Sequence, residues 1–263
     1  MTKHTTRACS CRRPSGAAAP SPADAFEYHH LAGGLKAAVE ADPHCVDASR
    51  LKAMDGPSLR ALLRWPRALP CEEERARVLR QCAAILAAQF DGSAAALVTC
   101  AHGSASVLVS LVAAHFPAFR DQALYRGRQV FFYKRAQIFV ADLYGSFGGE
   151  GLGSFADIGS LTMFADYRVP VVLRTLGILR YAPALAAQLE ARQELPAGCE
   201  AEVEIRCCCI AAVEALRTHL GAAAGRRNEP GPSSVTLDWH LWQIGESSRL
   251  TSPAHHRTLS IYY

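Results

Sequence analysis

Apolar residues recur at helical spacing from Phe26 to about Val39, and that rhythm persists along most of the chain. The segment DASRLKAMDGPSLRALLR predicts two short helices divided at Asp55-Gly56-Pro57, a strong breaker. A charged run from Glu72 to Arg77 opens a longer helix that stops at Asp91-Gly92, with acids at its start as the helix dipole favours. The most apolar stretch, Ala94 to Phe116, is broken by His102, Gly103 and several serines. It predicts two buried helices with a turn at His102-Gly103-Ser104, because a bilayer span needs roughly 20 continuous apolar residues. FPAFRD reads as a connector, and the only strand signal is RQVFFY, Arg128 to Tyr133, rich in β-favouring aromatics.

KRAQIFVADLYGSF then fits a largely buried helix, and the glycines from Gly145 to Gly153 fit a loop. Asp157 or Ser160 is placed to cap a helix through LTMFADY. Pro170 ends that helix and opens the next, VVLRTLGILRY. A helix follows Pro183, a long one covers EAEVEIRCCCIAAVEALRTHL, and RRNEPGPSS links it to a last helix, VTLDWHLWQIGE. There is no internal repeat. The pattern predicts an all-α fold, a single helical domain over residues 26–263 with a minor short-strand element. Residues 1–25 carry basic residues with no apolar run behind them, so they read as a disordered tail, with a transit peptide as the other reading.

Composition changes this picture little. Half of the 263 residues are hydrophobic and a fifth are charged, the balance of a globular chain. A net charge of +4 tolerates anionic ligands but lacks the dense basic clusters of a duplex-binding surface. The ten cysteines show no paired metal-ligand spacing; Cys207, Cys208 and Cys209 would spread around a helix rather than converge. They predict free, mostly buried thiols in a reducing cytosol. Phosphate-binding glycine loops, HExxH, GxSxG and CxxC are all absent from the sequence.

Three places hold polar residues where core helices should be apolar. Lys134-Arg135 stands at the mouth of a buried helix, either as bases reaching past it to solvent or as an anion site. Asp166-Tyr167-Arg168 falls at a forced helix break. A carboxylate in the last turn opposes the dipole, so either a local ion pair with Arg168 or Arg174 or a functional demand should keep it there. Asp238, set among Leu237, Trp239 and Leu241, is either a dipole partner or a group that accepts N–H bonds from a stacked base. Glu200, Glu202 and Glu204 read as a solvated helix start, and His255-His256-Arg257 as a phosphate site or plain surface.

Five strings, in this order, carry more information together: FYKRAQIFVADLYG, LTMFADYRVPVVLRTLGIL, EVEIRCCCIAAVE, LDWHLW and HRTLSIYY. In wording and order they resemble the queuosine salvage family (DUF2419) from about residue 26 to the end. The resemblance implies a cytosolic hydrolase that releases queuine, a 7-deazaguanine re-used in transfer RNA modification, from queuosine 5'-monophosphate. It implies a helical fold similar to helix-hairpin-helix DNA glycosylases, with no cofactor, no metal, and neither membrane nor nucleic acid as direct partner. By the same resemblance Asp166 is the catalytic carboxylate, and Lys134, Tyr167, Arg168 and Asp238 line the substrate pocket. Family members usually carry a further helical portion ahead of this region, to which residues 1 to about 25 show no likeness. A second reading is therefore a shortened, catalytically impaired relative that binds ligand or protein. A glycosylase of DNA or RNA is a third, disfavoured by the mild charge.

Overall fold

The computed structural model describes residues 26–247 and 253–262; the expected N-terminal tail lies outside them. The chain divides into two compact units, Met1–His102 and Gly103–Tyr263.

The first unit contains α1 (Tyr28–Ala41), α2 (Ala48–Leu51), α3 (Gly56–Leu62), α4 (Glu72–Gln89) and α5 (Ala94–Thr99). Their starts follow capping chemistry. Asp55 accepts the Ser58 N–H at 2.8 Å and Pro57 sits in the first turn, so the breaker between α2 and α3 is also the start signal of α3. The acids that open α4 fasten neighbouring turns: Glu72 accepts the Leu69 N–H at 2.8 Å and Glu73 that of Gly56 at 2.9 Å. Met54, Leu59, Leu63, Trp65 and Leu69 form the core of this unit.

The second unit contains α6 (Ala105–His115), β1 (Gln122–Tyr125), β2 (Arg128–Phe131), α7 (Lys134–Ser146), α8 (Val169–Thr175), α9 (Pro183–Glu190), α10 (Glu200–Gly225) and α11 (Ser234–Ser247). Its core joins Met163, Val169 and Leu173 to Val203, Ile205, Cys209 and Val213 of α10 and Leu237 and Leu241 of α11. By length and composition α10 could also cross a membrane; four of its side chains enter the core of this unit. The expected helices at α4, α6, α7, α9, α10 and α11 all form.

Several expectations are corrected. The strand signal at Arg128 has an antiparallel partner, Gln122–Tyr125, which lies outside every predicted element. Arg126 and Gly127 join the two strands with φ of 49° and 78°, the left-handed pair that a two-residue hairpin turn requires. Phe132 and Tyr133 leave the strand to turn into α7. The helix expected through LTMFADY does not form: residues 161–166 are irregular. Side chains take over their backbone groups instead. Gln137 accepts the Thr162 N–H at 2.9 Å, Asp238 accepts that of Phe164 at 2.9 Å, and Arg206 Nε donates to the Ala165 carbonyl at 3.1 Å. Asp157, expected to cap that helix, accepts from Ser104 and from the Ala105 and Ser106 amides and so caps α6. The helix after Pro170 stops at Thr175, where Gly177 adopts φ 72°. Of the eight described cysteines, all free, Cys45 and Cys209 are buried and Cys71, Cys100 and Cys208 are exposed, so the thiols are not mostly buried. Only one side of α10 faces the core, and it takes Cys209 from the triplet.

Candidate active site

Asp166 does not stand on the last turn of a helix; it precedes one. Its Oδ1 accepts the N–H groups of Arg168 at 3.0 Å and Val169 at 2.8 Å, at the start of α8. The dipole argument that made this carboxylate anomalous is therefore reversed, because the positive end of α8 favours it. The geometry follows from the helix start: the N–H groups of 168 and 169 have no carbonyl of a preceding turn to meet, so the side chain takes them, and Pro170 in that first turn has no N–H to satisfy.

Lys134 is the first residue of α7 and is 8% exposed, so it is a buried lysine and not one reaching to solvent. Asp166 and Asp238 are 7% and 5% exposed. Their electrostatics are mutual. Burial holds the Lys134 ammonium below its usual range, while Asp166 pulls it back up. Burial raises the Asp166 carboxyl, against the Lys134 charge and the two backbone N–H groups. Asp238 is raised well above the usual carboxylate range, by burial first and repulsion from Asp166 second. The Phe164 N–H and Lys134 only partly offset this.

Tyr167 meets the C-terminal segment. Its ring lies 4.9 Å from the His255 ring and 5.3 Å from the Arg168 guanidinium, on the wall of a cavity of about 360 Å³. Glu194, Thr258 and Ser260 also line that cavity. Arg168 is ion-paired through Nε with Glu246 at 2.7 Å, and its aliphatic stem packs on Gly245. No salt bridge joins Arg168 or Arg174 to Asp166 among the described residues; Arg174 reaches the Ala254 carbonyl and the Tyr181 ring. His256 is 2% exposed, which removes the surface reading of His255-His256-Arg257 for that residue, and burial holds its pKa down to about 4.

Three further side chains belong to this buried cluster: Asp121 and Arg206, not singled out in the sequence, and Glu202, expected in a solvated helix start. Arg206 donates to both carboxylate oxygens of Asp121, through Nη1 at 2.8 Å and through Nη2, and lies 3.4 Å from Glu202. Glu202 is 2% exposed and so is not part of a solvated helix start, whereas Glu200 and Glu204 are exposed and pair with Arg126. A lone Arg inside the apolar run EIRCCCI, four residues after a Glu, was the available signal.

The sequence model of the family described as queuosine salvage protein matches residues 17–263. The chain belongs to that family. It is 44% identical over 243 residues to the queuosine 5'-phosphate N-glycosylase/hydrolase of Dictyostelium discoideum, covering 92% of this chain and 73% of that one. To the protein of the same name from Sphaerobacter thermophilus it is 45% identical over 236 residues, 90% of this chain and 72% of that one. A Mus musculus protein, also so named, is 42% identical over 200 residues, 74% of this chain and 59% of its own. Within the queuosine salvage fold of this chain, Lys134, Asp166 and Asp238 are thus brought into one buried field from α7, the α8 start and α11. Tyr167 and Arg168 border it on the side of the C-terminal segment.

Proposed function

We propose that the chain hydrolyses the N-glycosidic bond of queuosine 5'-phosphate: water adds to C1' of the ribose, the C1'–N bond breaks, and the proton goes to the departing queuine. The observation that carries this reading is a buried carboxylate, Asp166, fixed by two amides and faced by a buried lysine, in a chain that belongs to the queuosine salvage family.

Cleavage builds positive charge on the ribose, and a fixed carboxylate in a dry site stabilises that charge far better than water does. The two N–H bonds to Oδ1 orient the group, and Oδ2 is the oxygen turned to the ribose or to the attacking water. Lys134 favours the ionised form of Asp166 against its burial, and we assign it the 5'-phosphate as well. Burial and the neighbouring Asp166 favour the protonated form of Asp238; a cationic ammonium or the N–H groups of the base would favour its ionised form. Tyr167 supplies an aromatic wall, and Arg168 borders the site through its pairing with Glu246. We further infer a cytosolic protein, in keeping with its free thiols, and a scaffold related to helix-hairpin-helix glycosylases, in keeping with the predominance of helix.

The test is queuine release from queuosine 5'-monophosphate by the purified chain, beside Asp166→Asn. Release that the substitution abolishes supports the reading. Equal release by both proteins removes Asp166 from the mechanism, and no release from a folded wild-type chain removes the activity.

A further inference from the structure

Lys134 and Asp166 arrive at the site on elements far apart in the chain, and a single charged pair connects the two. Asp121 holds the turn that delivers Lys134. Its main-chain carbonyl accepts the N–H groups of Phe132 at 2.9 Å and Tyr133 at 3.0 Å, and its Oδ2 accepts that of Lys134 at 3.2 Å. Tyr133 within this turn has φ 47°, a left-handed conformation that persists only where neighbours enforce it. On the other side, Arg206 grips both oxygens of Asp121 and places Nε on the carbonyl of Ala165, the residue before Asp166. The Phe132 ring lies 3.8 Å from the guanidinium centre and Glu202 flanks it, fixing the plane of the fork.

We propose that Arg206 and Asp121 are positioning residues that set the placement of Lys134 relative to Asp166. The proposal rests on the reading of Asp166 and Lys134 given above. A buried ion pair is a poor route to stability, since apolar residues of like volume commonly serve as well or better. What this pair supplies is geometry: three donors of one rigid fork reach a carboxylate and a carbonyl at once, which the single ammonium of a lysine cannot reproduce. The chain of contacts runs from the Lys134 amide through Asp121 and Arg206 to the peptide that carries Asp166.

The test compares the full-length wild-type chain with Arg206→Lys and Asp121→Asn, each checked for fold by circular dichroism and urea unfolding. The carboxyl of Asp166, identified from the spectrum of Asp166→Asn, is titrated by carbon-13 NMR. Besides Lys134 from α7 it faces Cys209 from α10, Asp238 from α11 and Arg168 beside it. Because Arg206→Lys keeps the positive charge, a moved titration reports displacement. The expected result is an upward shift as Lys134 draws away. It comes with a kcat lower by about 10²-fold, the cost of a misplacement near 1 Å, and a KM within about threefold of wild type. An unmoved Asp166 titration in a folded variant overturns the proposal, as does an unchanged kcat. Should Arg206→Lys fail to fold, the near-isosteric Asp121→Asn decides on kcat and KM, because it changes the buried charge and its titration no longer reports displacement alone. A wild-type chain without turnover sinks the nucleosidase reading alone, because the titration still decides this one.

Discussion

The Oδ1 of Asp238 accepts the N–H of Phe164 at 2.9 Å, which ties α11 to the irregular segment two residues ahead of Asp166. The bond replaces a helical partner that Phe164 lacks. It also brings a second carboxylate into the field of the first, so that, among the described residues, the buried acids Asp121, Glu202, Asp166 and Asp238 are met by two buried cations, Lys134 and Arg206. Two acids in excess cannot all be ionised cheaply in a dry interior, and Asp238 carries the larger share of that cost.

Asp238→Asn should therefore stabilise the chain at neutral pH while impairing the proposed activity. Asparagine keeps an oxygen for the Phe164 N–H and has no carboxyl whose ionisation burial opposes. The sign follows from linkage: a carboxyl raised in the folded state binds more protons there than when unfolded. Its penalty grows as pH climbs from the ordinary carboxylate range through the raised value, by about 1.4 kcal/mol for each unit of elevation. Urea midpoints of both proteins should converge near pH 4 and separate by pH 7. A variant less stable than wild type at pH 7 would contradict this account.

Asp166 has two separable roles, cap and reacting group. Asp166→Asn retains an acceptor for the Arg168 and Val169 amides, whereas Asp166→Ala leaves both at the start of α8 without it. Both variants should lose at least about 10²-fold in turnover. Alanine should in addition be less stable than asparagine by about 1 kcal/mol, the usual worth of a cap. Thermal unfolding at one pH reads the difference, and equal stability of the two variants argues against the cap.

His256 gives a pH dependence of opposite sign. Burial holds its pKa at about 4 in the folded chain, so it stays neutral there while the unfolded chain takes up a proton near pH 6.5. A depressed pKa contributes stability above pH 6.5 that is lost as pH falls through 6.5 to about 4, by up to about 3 kcal/mol. Because Asp166 and Asp238 change in the same range with the other sign, the informative quantity is the difference between wild type and His256→Gln. That difference should shrink on acidification between pH 6.5 and 4, and a flat difference would show that the imidazole does not titrate as its burial requires.

The helices were legible because their signals are local. Asp55-Gly56-Pro57, the Glu72–Glu74 start of α4 and the Pro183 start of α9 each act within one turn. Lys134, Asp166, Tyr167 and Asp238 also stood out, as charged or polar residues in apolar surroundings and through the family resemblance. The segment around Asp166 was misread because Gln137, Asp238 and Arg206 satisfy its backbone from 25, 74 and 41 residues away. No periodicity within seven residues carries that information. The pairing of Asp121 with Arg206 spans 85 residues and was invisible for the same reason, and Glu202 was read with its exposed neighbours although its side of α10 faces inward.

Tyr167 offers its ring beside His255 on an open wall, which suits it to binding more than to chemistry. Tyr167→Ala should raise KM for queuosine 5'-monophosphate about tenfold, within the 1–3 kcal/mol that a base–aromatic stack contributes, and change kcat much less. Tyr167→Phe should remain near wild type. A kcat loss with unchanged KM in the alanine variant would instead place the tyrosine at the reacting bond.

Gly245 sets the position of Arg168 from below, and its substitution discriminates a tight contact from a tolerant one. In a helix, Gly→Ala ordinarily gains about 1 kcal/mol. Here a methyl group at 245 would lie 2.5 Å from Cγ and 2.8 Å from Cδ of Arg168, and 3.1 Å from Val172 Cγ2. The clash falls on the stem of Arg168, whose Nε is ion-paired with Glu246 at 2.7 Å, so a side chain that swings aside strains that pair. Overpacking of this kind costs about 1–3 kcal/mol, enough to reverse the helical gain. Gly245→Ala should therefore unfold at lower urea than wild type. The double variant Gly245→Ala with Arg168→Ala should recover most of the loss, because the second truncation empties the space the first one needs. If the single variant proves more stable instead, the Arg168 stem yields, and its seat between Gly245 and Tyr167 is not a fixed part of the site.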